Sequence, residues 1–307
     1  MDRATELAMM EELLMLRQQD SFFMDEDTST APVDRYASAE RFGEEQQHLF
    51  RALPVVAAHS AEIADAGSFV TRNISGLPVL LSRGDDGQAH AFLNVCRHRG
   101  AELLGQESGC KRRFTCPYHA WSYAPDGRLI NAPHLTEGFG DLNKDAYNLT
   151  RLPLFEQEGL IWVIADAHSE RDIAAFVEPL LPGLAWCDMA NLAPVVSETL
   201  SIKANWKILA EGGLEAYHFK VAHRKTIGPH FLDNLSNYRL WGDHSLNVLA
   251  KNSLATLADV PREQWRVREH CNVIFLVFPV DSFLLMDDHI AWINMRARSA
   301  SETEIRL

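Results

Sequence analysis

The stretch CRHRGAELLGQESGCKRRFTCPYHAWSYAPDGRL, residues 96–129, decides how this chain is read. Cys96 and His98 stand at its start, and after seventeen intervening positions (99–115) come Cys116 and His119. Each short segment offers one thiol and one imidazole, donors that suit transition metals. Four such donors also suit tetrahedral zinc. Common zinc fingers, however, place two cysteines in one loop and two histidines in the other. One Cys and one His per loop suits a [2Fe–2S] unit with both thiolates on one iron and both imidazoles on the second. Pro117 restricts the second loop and so helps keep ligand geometry fixed. Gly100 is either a simple turn glycine or a place where the backbone approaches the cluster closely.

The pattern C-x-H-x₁₇-C-x-x-H resembles the Rieske motif. Its flanks, CRHRGAEL (96–103) and CPYHAWSYAPDGRL (116–129), resemble Rieske oxygenase sequence. The resemblance implies that Cys96, His98, Cys116 and His119 hold a [2Fe–2S] cluster. Neutral imidazoles in place of two thiolates make such a cluster easier to reduce. The respiratory branch of the family adds a disulfide-forming cysteine to each loop. The matching positions here are Ala101 and Tyr118, so the chain resembles the oxygenase branch. Cys110, Cys187 and Cys271 then read as structural or surface cysteines. Arg97, Arg99, Lys111, Arg112 and Arg113 outweigh Glu102 and Glu107, which reads as a docking face for an acidic electron donor or as a solvated basic face.

Around this stretch, short β-rich runs alternate with turns. They are LPVLLS (77–82), AHAFLN (89–94), WSY (121–123), RLIN (128–131) and LIWVIA (160–165), a small antiparallel domain. Before it, residues 4–18 read as an amphipathic helix with Leu7, Met10, Leu14 and Leu16 near one stripe, and the acidic segment 24–34 as a loop. After Asp166 the pattern mixes. Residues 170–181 and 206–219 read as helices, 197–205 as a strand, and 272–298 as strand-like runs. The expected organisation is an N-terminal helical segment (1–47), a cluster domain (48–166) and a catalytic domain (167–307).

The second domain carries NWKILAEGGLEAYHFKVAH, residues 205–223. His218 and His223 stand five apart, about 140° around an ideal helix, so they share a face only if the helix ends or bulges between them. The segment resembles the iron-binding motif of the Rieske oxygenase catalytic domain, N-W-K-x-x-x-E-N-x-x-[DE]-x-Y-H-x-x-x-x-H. Asn205, Trp206, Lys207, Glu211, Glu215, Tyr217, His218 and His223 match it, and Gly212 stands where the motif has Asn. Gly212 and Gly213 each weaken a helix by about 1 kcal/mol relative to Ala, which suggests a kink. The resemblance implies that His218 and His223 are two ligands of a 2-His-1-carboxylate site for mononuclear Fe(II), open to O₂ and substrate. It implies that Glu215, one turn before His218, bridges a cluster histidine and an iron histidine across a subunit contact. Glu rather than Asp at 215 resembles the branch acting on quaternary ammonium substrates. Thr226, Phe231 and Leu232 read as pocket lining or ordinary core.

The fold implied is α+β: a Rieske antiparallel β-domain plus a helix-grip catalytic domain, an antiparallel sheet with helices. The function implied is the terminal oxygenase α-subunit of a Rieske non-haem iron oxygenase. Electrons from NAD(P)H would arrive through a reductase, with or without a ferredoxin, and homotrimers are expected. An organic, first of all aromatic, substrate would be hydroxylated or dihydroxylated. The alternatives are a monooxygenase or N-demethylase of a quaternary amine, and an electron-transfer protein with a vestigial iron site. The third iron ligand in the family is an aspartate on a late helix. Here Asp281, Asp287 and Asp288 lie among strand and turn signals, and a polar SASETE tail follows the last strand-like run near Arg298. A chain truncated at its C-terminus is therefore expected.

Composition is consistent with this. The 307 residues are 47% hydrophobic and 23% charged, as in a globular protein of about two domains. A net charge of −13 argues against a nucleic-acid partner. No apolar run is long enough to span a membrane. The N-terminus, with Asp2, Glu6, Glu11 and Glu12, is unlike a signal peptide, so a cytoplasmic location is expected. Five cysteines are too few for a disulfide scaffold.

Overall fold

A computed structural model describes residues 1–24 and 27–307. Its contacts divide the chain into two units. One comprises residues 44–181 and 187–195. The other comprises 1–43, 182–186 and 196–307.

The first unit is built from ten short strands: β1 (Val55–His59), β2 (Ser68–Ile74), β3 (Leu77–Arg83), β4 (Ala89–Leu93), β5 (Ser108–Cys110), β6 (Phe114–Thr115), β7 (Ser122–Tyr123), β8 (Leu129–Asn131), β9 (Leu154–Gln157) and β10 (Leu160–Val163). They form antiparallel sheets ordered β1-β10-β9, β4-β3-β2-β5 and β6-β7-β8. Positive φ at Ser75 and Gly76 closes the β2–β3 hairpin, the geometry that matches strand twist. The Arg83 guanidinium grips both oxygens of Glu156 at 2.7 Å and donates to the Ile63 carbonyl at 2.8 Å, tying β3 to β9. Beneath the Cys96 and Cys116 loops lie the fully buried rings of Phe69, Phe92, Phe114 and Tyr123, with Trp121 at 2% exposure. Each such ring contributes roughly 1.5–3 kcal/mol by leaving water.

The second unit centres on a seven-stranded antiparallel sheet: β11 (Thr199–Ile202), β12 (Phe231–Trp241), β13 (His244–Lys251), β14 (Cys271–Val277), β15 (Asp281–Leu285), β16 (Ile290–Ser299) and β17 (Glu302–Arg306). Its order is β11-β17-β16-β15-β14-β13-β12. The N-terminal helix Arg3–Gln18, capped by Asp2 on the Thr5 amide at 2.8 Å, packs on β12. The architecture is α+β with antiparallel sheets, as the sequence implied.

Several local expectations change. The buried stripe of the first helix is Leu7, Met9, Met10, Leu13 and Leu14, while Leu16 is only half-buried. In the expected loop 24–34, residues 25 and 26 lie outside the described residues, and Asp34 opens a one-turn helix. The helix expected at 206–219 stops at Leu214. The polar tail is a strand: Glu302–Arg306 pairs with both β16 and β11, and the Thr303 hydroxyl donates to the Ala204 carbonyl at 2.9 Å.

Candidate active site

Cys96 follows β4, and Cys116 follows β6. The two loops close with one hydrogen-bond pattern. The Cys96 amide donates to the Ala101 carbonyl at 2.8 Å, and its carbonyl accepts from Gly100 at 3.0 Å. The Cys116 amide donates to the Trp121 carbonyl at 2.8 Å, and its carbonyl accepts from Ala120 at 3.0 Å. The fifth residue of each loop is left-handed, Gly100 at φ 75° and Ala120 at φ 56°. A Cβ on Gly100 would meet nothing within 4 Å, so glycine serves that turn's conformation rather than close approach of protein atoms. Ala120 holds the same conformation at a cost of about 1–2 kcal/mol.

The two loops bring the four expected residues together. Cys96 and Cys116 are buried free thiols. Burial pushes the Cys96 thiol above its ordinary pKa; the Tyr123 hydroxyl, 3.4 Å from its sulfur, works against this, and neighbouring Cys116 reinforces it. Tyr123 also accepts from the Arg97 amide at 3.1 Å. The rings of His98 and His119 lie 4.7 Å apart. Trp121 stacks on His98 at 4.8 Å and 3°, fixing the plane of the imidazole. Burial, then His119 and Arg99, hold the His98 pKa below its usual value, which favours the neutral, ligating form.

Nδ1 of His98 and Nδ1 of His119 are both buried without a hydrogen-bond partner. Leaving a buried polar atom unpaired costs about 1–3 kcal/mol, so two side by side mark a place where another group completes them. Among the described residues no three His, Cys, Asp or Glu side chains form a group for a single metal ion. A two-iron cluster asks only two protein donors of each iron, and the thiol pair and the orphaned imidazole pair fit that demand.

The second constellation begins at Asn205, whose side chain accepts from the Lys207 amide at 3.0 Å and caps the Trp206–Leu214 helix. Its amide group also donates to the carbonyls of Tyr36 at 2.9 Å and Ala300 at 2.8 Å, anchoring the helix start. Beyond Leu214 the chain leaves helical geometry, and residues 217–227 run in successive turns. This resolves the five-residue spacing, because the histidines converge in a turn: their rings lie 5.0 Å apart. Glu215 is extended rather than helical. Its carboxylate accepts from the His218 amide at 3.1 Å and pairs with His218 Nδ1, leaving Nε2 as that ring's other nitrogen. Ala216 packs with Phe231, Leu249, Phe219 and Ile274, which seats the turn on the sheet. Phe231 is therefore core, while Thr226 lies against His223.

Two imidazoles at this separation fit one metal ion, as far as two ligands go. None of the three aspartates weighed as a third completes a group with them. Asp281 is not a turn residue: it opens β15, is fully buried, and accepts from Trp292 and Asn294, each at 2.7 Å. Its cross-strand partner is Val277, so it shares a sheet face with Phe275 and Phe283. Ile274, which packs under the histidine turn, points to the opposite face. Asp287 pairs with Lys251 at 2.8 Å, and Asp288 with His289 at 2.7 Å.

Tyr123, Trp121 and Gly228 are not read from the sequence as site-supporting residues, and Thr226 is read there only as pocket lining or ordinary core. The only local signal for Tyr123 is its position in the strand directly after the second loop.

Residues 54–153 match the family described as Rieske [2Fe-2S] domain, and residues 189–307 match the one described as ring hydroxylating alpha subunit (catalytic domain). The chain belongs to the Rieske oxygenase α-subunits. It is 35% identical over 218 residues to the carnitine monooxygenase oxygenase subunit of Escherichia coli, covering 69% of this chain and 55% of that protein. It is 35% identical over 213 residues to the glycine betaine monooxygenase oxygenase subunit of Pseudomonas aeruginosa, covering 69% of this chain and 48% of that protein. The chain thus spans about half the length of these curated relatives. Among solved structures, it resembles the quaternary ammonium Rieske monooxygenase CntA in complex with L-carnitine, with a TM-score of 0.77 at 23% identity over 90% of this chain and 74% of that one. It likewise resembles naphthalene 1,2-dioxygenase from Rhodococcus sp., with a TM-score of 0.75 at 20% identity over 98% of this chain and 76% of that one. These likenesses show a shared fold. Among the described residues no helix is long and apolar enough to cross a membrane.

Proposed function

We propose that this Rieske α-subunit is the terminal oxygenase component of a monooxygenase acting on a quaternary ammonium compound. The observation that carries the oxygenase reading is that one chain holds both donor sets: the buried thiol pair with two orphaned imidazole nitrogens, and the converged His218–His223 pair held by Glu215. In this reading Cys96 and Cys116 hold one iron of the cluster, and His98 and His119 the other. When bound, the cluster supplies single electrons and the mononuclear Fe(II) supplies O₂ activation. Tyr123 aims a hydroxyl at the Cys96 sulfur, and Trp121 keeps the His98 ring in plane. Glu215 engages Nδ1 of His218 and so sets its tautomer, which would leave Nε2 as the nitrogen to hold the iron. Phe219, edge-on to both histidine rings, packs in turn against Phe231 at 5.2 Å and supplies an apolar surface beside the pair.

The sequence put an aromatic substrate first and a quaternary amine second; we reverse that order. Support comes from the relatives named for carnitine and glycine betaine, and from Glu rather than Asp at 215. A reductase, with or without a ferredoxin, would deliver the electrons. A homotrimer would let one subunit's cluster serve its neighbour's iron through Glu215.

The test is oxygen uptake and product analysis with purified protein, a surrogate reductase and NAD(P)H. Carnitine, glycine betaine and aromatic carboxylates are offered in parallel. Oxygen uptake coupled to product from a quaternary amine supports the reading. Coupled turnover of the aromatic compounds alone restores the aromatic order. Cluster reduction with two irons per chain and no turnover favours the electron-transfer alternative.

A further inference from the structure

The turn after His223 closes on that residue's own backbone. The His223 carbonyl accepts from the Gly228 amide at 2.9 Å, the Thr226 amide at 3.0 Å and the Thr226 hydroxyl at 3.3 Å. The same hydroxyl lies 3.4 Å from Nδ1 of the His223 ring. The main chain of His223 is therefore held by Thr226 and Gly228, and its ring by Thr226. Gly228 makes that closure possible. It is buried, and a Cβ there would collide with the Phe219 carbonyl oxygen and stand 2.9 Å from the His223 carbonyl oxygen. Both obstacles are backbone atoms of the histidine turn, so neither can swing aside as a side chain would. The φ of Gly228 is not left-handed, so glycine is required for space rather than for conformation. The amide of His223 in turn donates to the Phe219 carbonyl at 3.2 Å, and Phe219 packs edge-on to both His218 and His223. A displacement at Gly228 is thereby transmitted to both imidazoles.

We propose that Thr226 and Gly228 are positioning residues for His223. Gly228 sets where its backbone sits, and the Thr226 hydroxyl orients its ring as Glu215 orients that of His218. This rests on the reading of His218 and His223 as iron ligands. Groups that orient a metal-ligating histidine typically contribute 10–100-fold in metal affinity.

The experiment is an anaerobic Co(II) titration of the cluster-loaded full chain, followed by the ligand-field absorption of the bound ion. Cluster absorbance serves as an internal control of folding. Wild type is compared with His223→Ala, Thr226→Val, Thr226→Ser and Gly228→Ala. Thr226→Val should weaken Co(II) binding by about 10–100-fold. Thr226→Ser, which keeps the hydroxyl, should restore wild-type binding. Gly228→Ala should weaken binding and shift the ligand-field band while the cluster spectrum stays unchanged. Wild-type affinity and band position in both Thr226→Val and Gly228→Ala overturn the proposal. If Gly228→Ala does not fold, the Thr226 pair decides alone: equal weakening in Val and Ser, or none in either, overturns it. Wild type binding Co(II) no better than His223→Ala overturns the iron-ligand reading itself, a result distinct from failure of the clamp.

Discussion

At the scale of single residues, each side chain around the donors has an identifiable physical consequence. If Cys96 holds the cluster as proposed, the Tyr123 hydroxyl 3.4 Å from its sulfur would stabilise the extra negative charge of the reduced form. Tyr123→Phe should lower the reduction potential by on the order of 50 mV, the equivalent of about 1 kcal/mol for one electron. Potentiometric titration followed by the cluster's visible absorption checks this, and an unchanged potential would show that the hydroxyl serves only the Arg97 amide. Cys271 illustrates burial without a site. Removal from water pushes its thiol up to about 12 from an ordinary 9.0. The folded pKa lies above the unfolded one, so the fold favours the neutral thiol. Its contribution is fully present below pH 9.0 and is lost as pH rises toward 12. Cys271→Ala should therefore flatten the fall in stability across that window, measured by urea unfolding at stepped pH. At pH 8, an alkylating reagent should label exposed Cys110 and leave Cys271 unmodified in the folded chain.

At the scale of elements, the site depends on where regular structure stops. The Trp206–Leu214 helix ends before Glu215, and that termination brings His218 and His223 together. Glycines at 212 and 213 weaken the helix by sequence, yet a Cβ at either meets nothing within 4 Å. Gly213→Ala should therefore raise stability by up to about 1 kcal/mol. The reverse exchange applies in the second cluster loop. Ala120 is left-handed, so Ala120→Gly should stabilise by about 1 kcal/mol. Thermal unfolding of the two variants checks both signs. A fall in melting temperature for either would mean that its methyl group, gained or lost, matters for packing. Two strands outside the runs read from the sequence, β12 and β13, show why such elements escape a local reading. β13 is buried along nearly its whole length although it contains His244, Ser245 and Asn247, and such residues disguise a central strand as a polar one. In β12, buried Asn237 donates to the Met9 carbonyl at 3.0 Å and to Glu12 at 2.8 Å, partners that lie more than 220 residues earlier. No local window contains them.

At the scale of the whole molecule, charge is unevenly placed. The chain carries −13 overall, yet Arg97, Arg99, Arg112 and Arg113 lie exposed around the cluster loops. Cluster reduction by an acidic protein donor should slow as ionic strength rises from about 0.01 to 0.15 M, where the screening length falls from roughly 30 to 8 Å. Arg112→Glu with Arg113→Glu should slow it further and leave reduction by dithionite unchanged. Stopped-flow reduction kinetics test this, and a salt-independent rate would leave the basic face merely solvated. The sequence by itself determined the donor types, their spacing, the antiparallel first domain and the family. These are local: Cys96 with His98, and Cys116 with His119, each lie within a single loop, and hairpin signals span a few residues. Tertiary structure alone decided the rest. It put Asp281 on the sheet face away from the histidines, because strand alternation and cross-strand register fix a side chain's direction. It turned the final polar segment into a strand, because β11 and β16 supply hydrogen-bond partners about 100 residues away and close at hand. It closed the His223 turn on Gly228, because only folding brings a glycine against two carbonyl oxygens where any Cβ would clash.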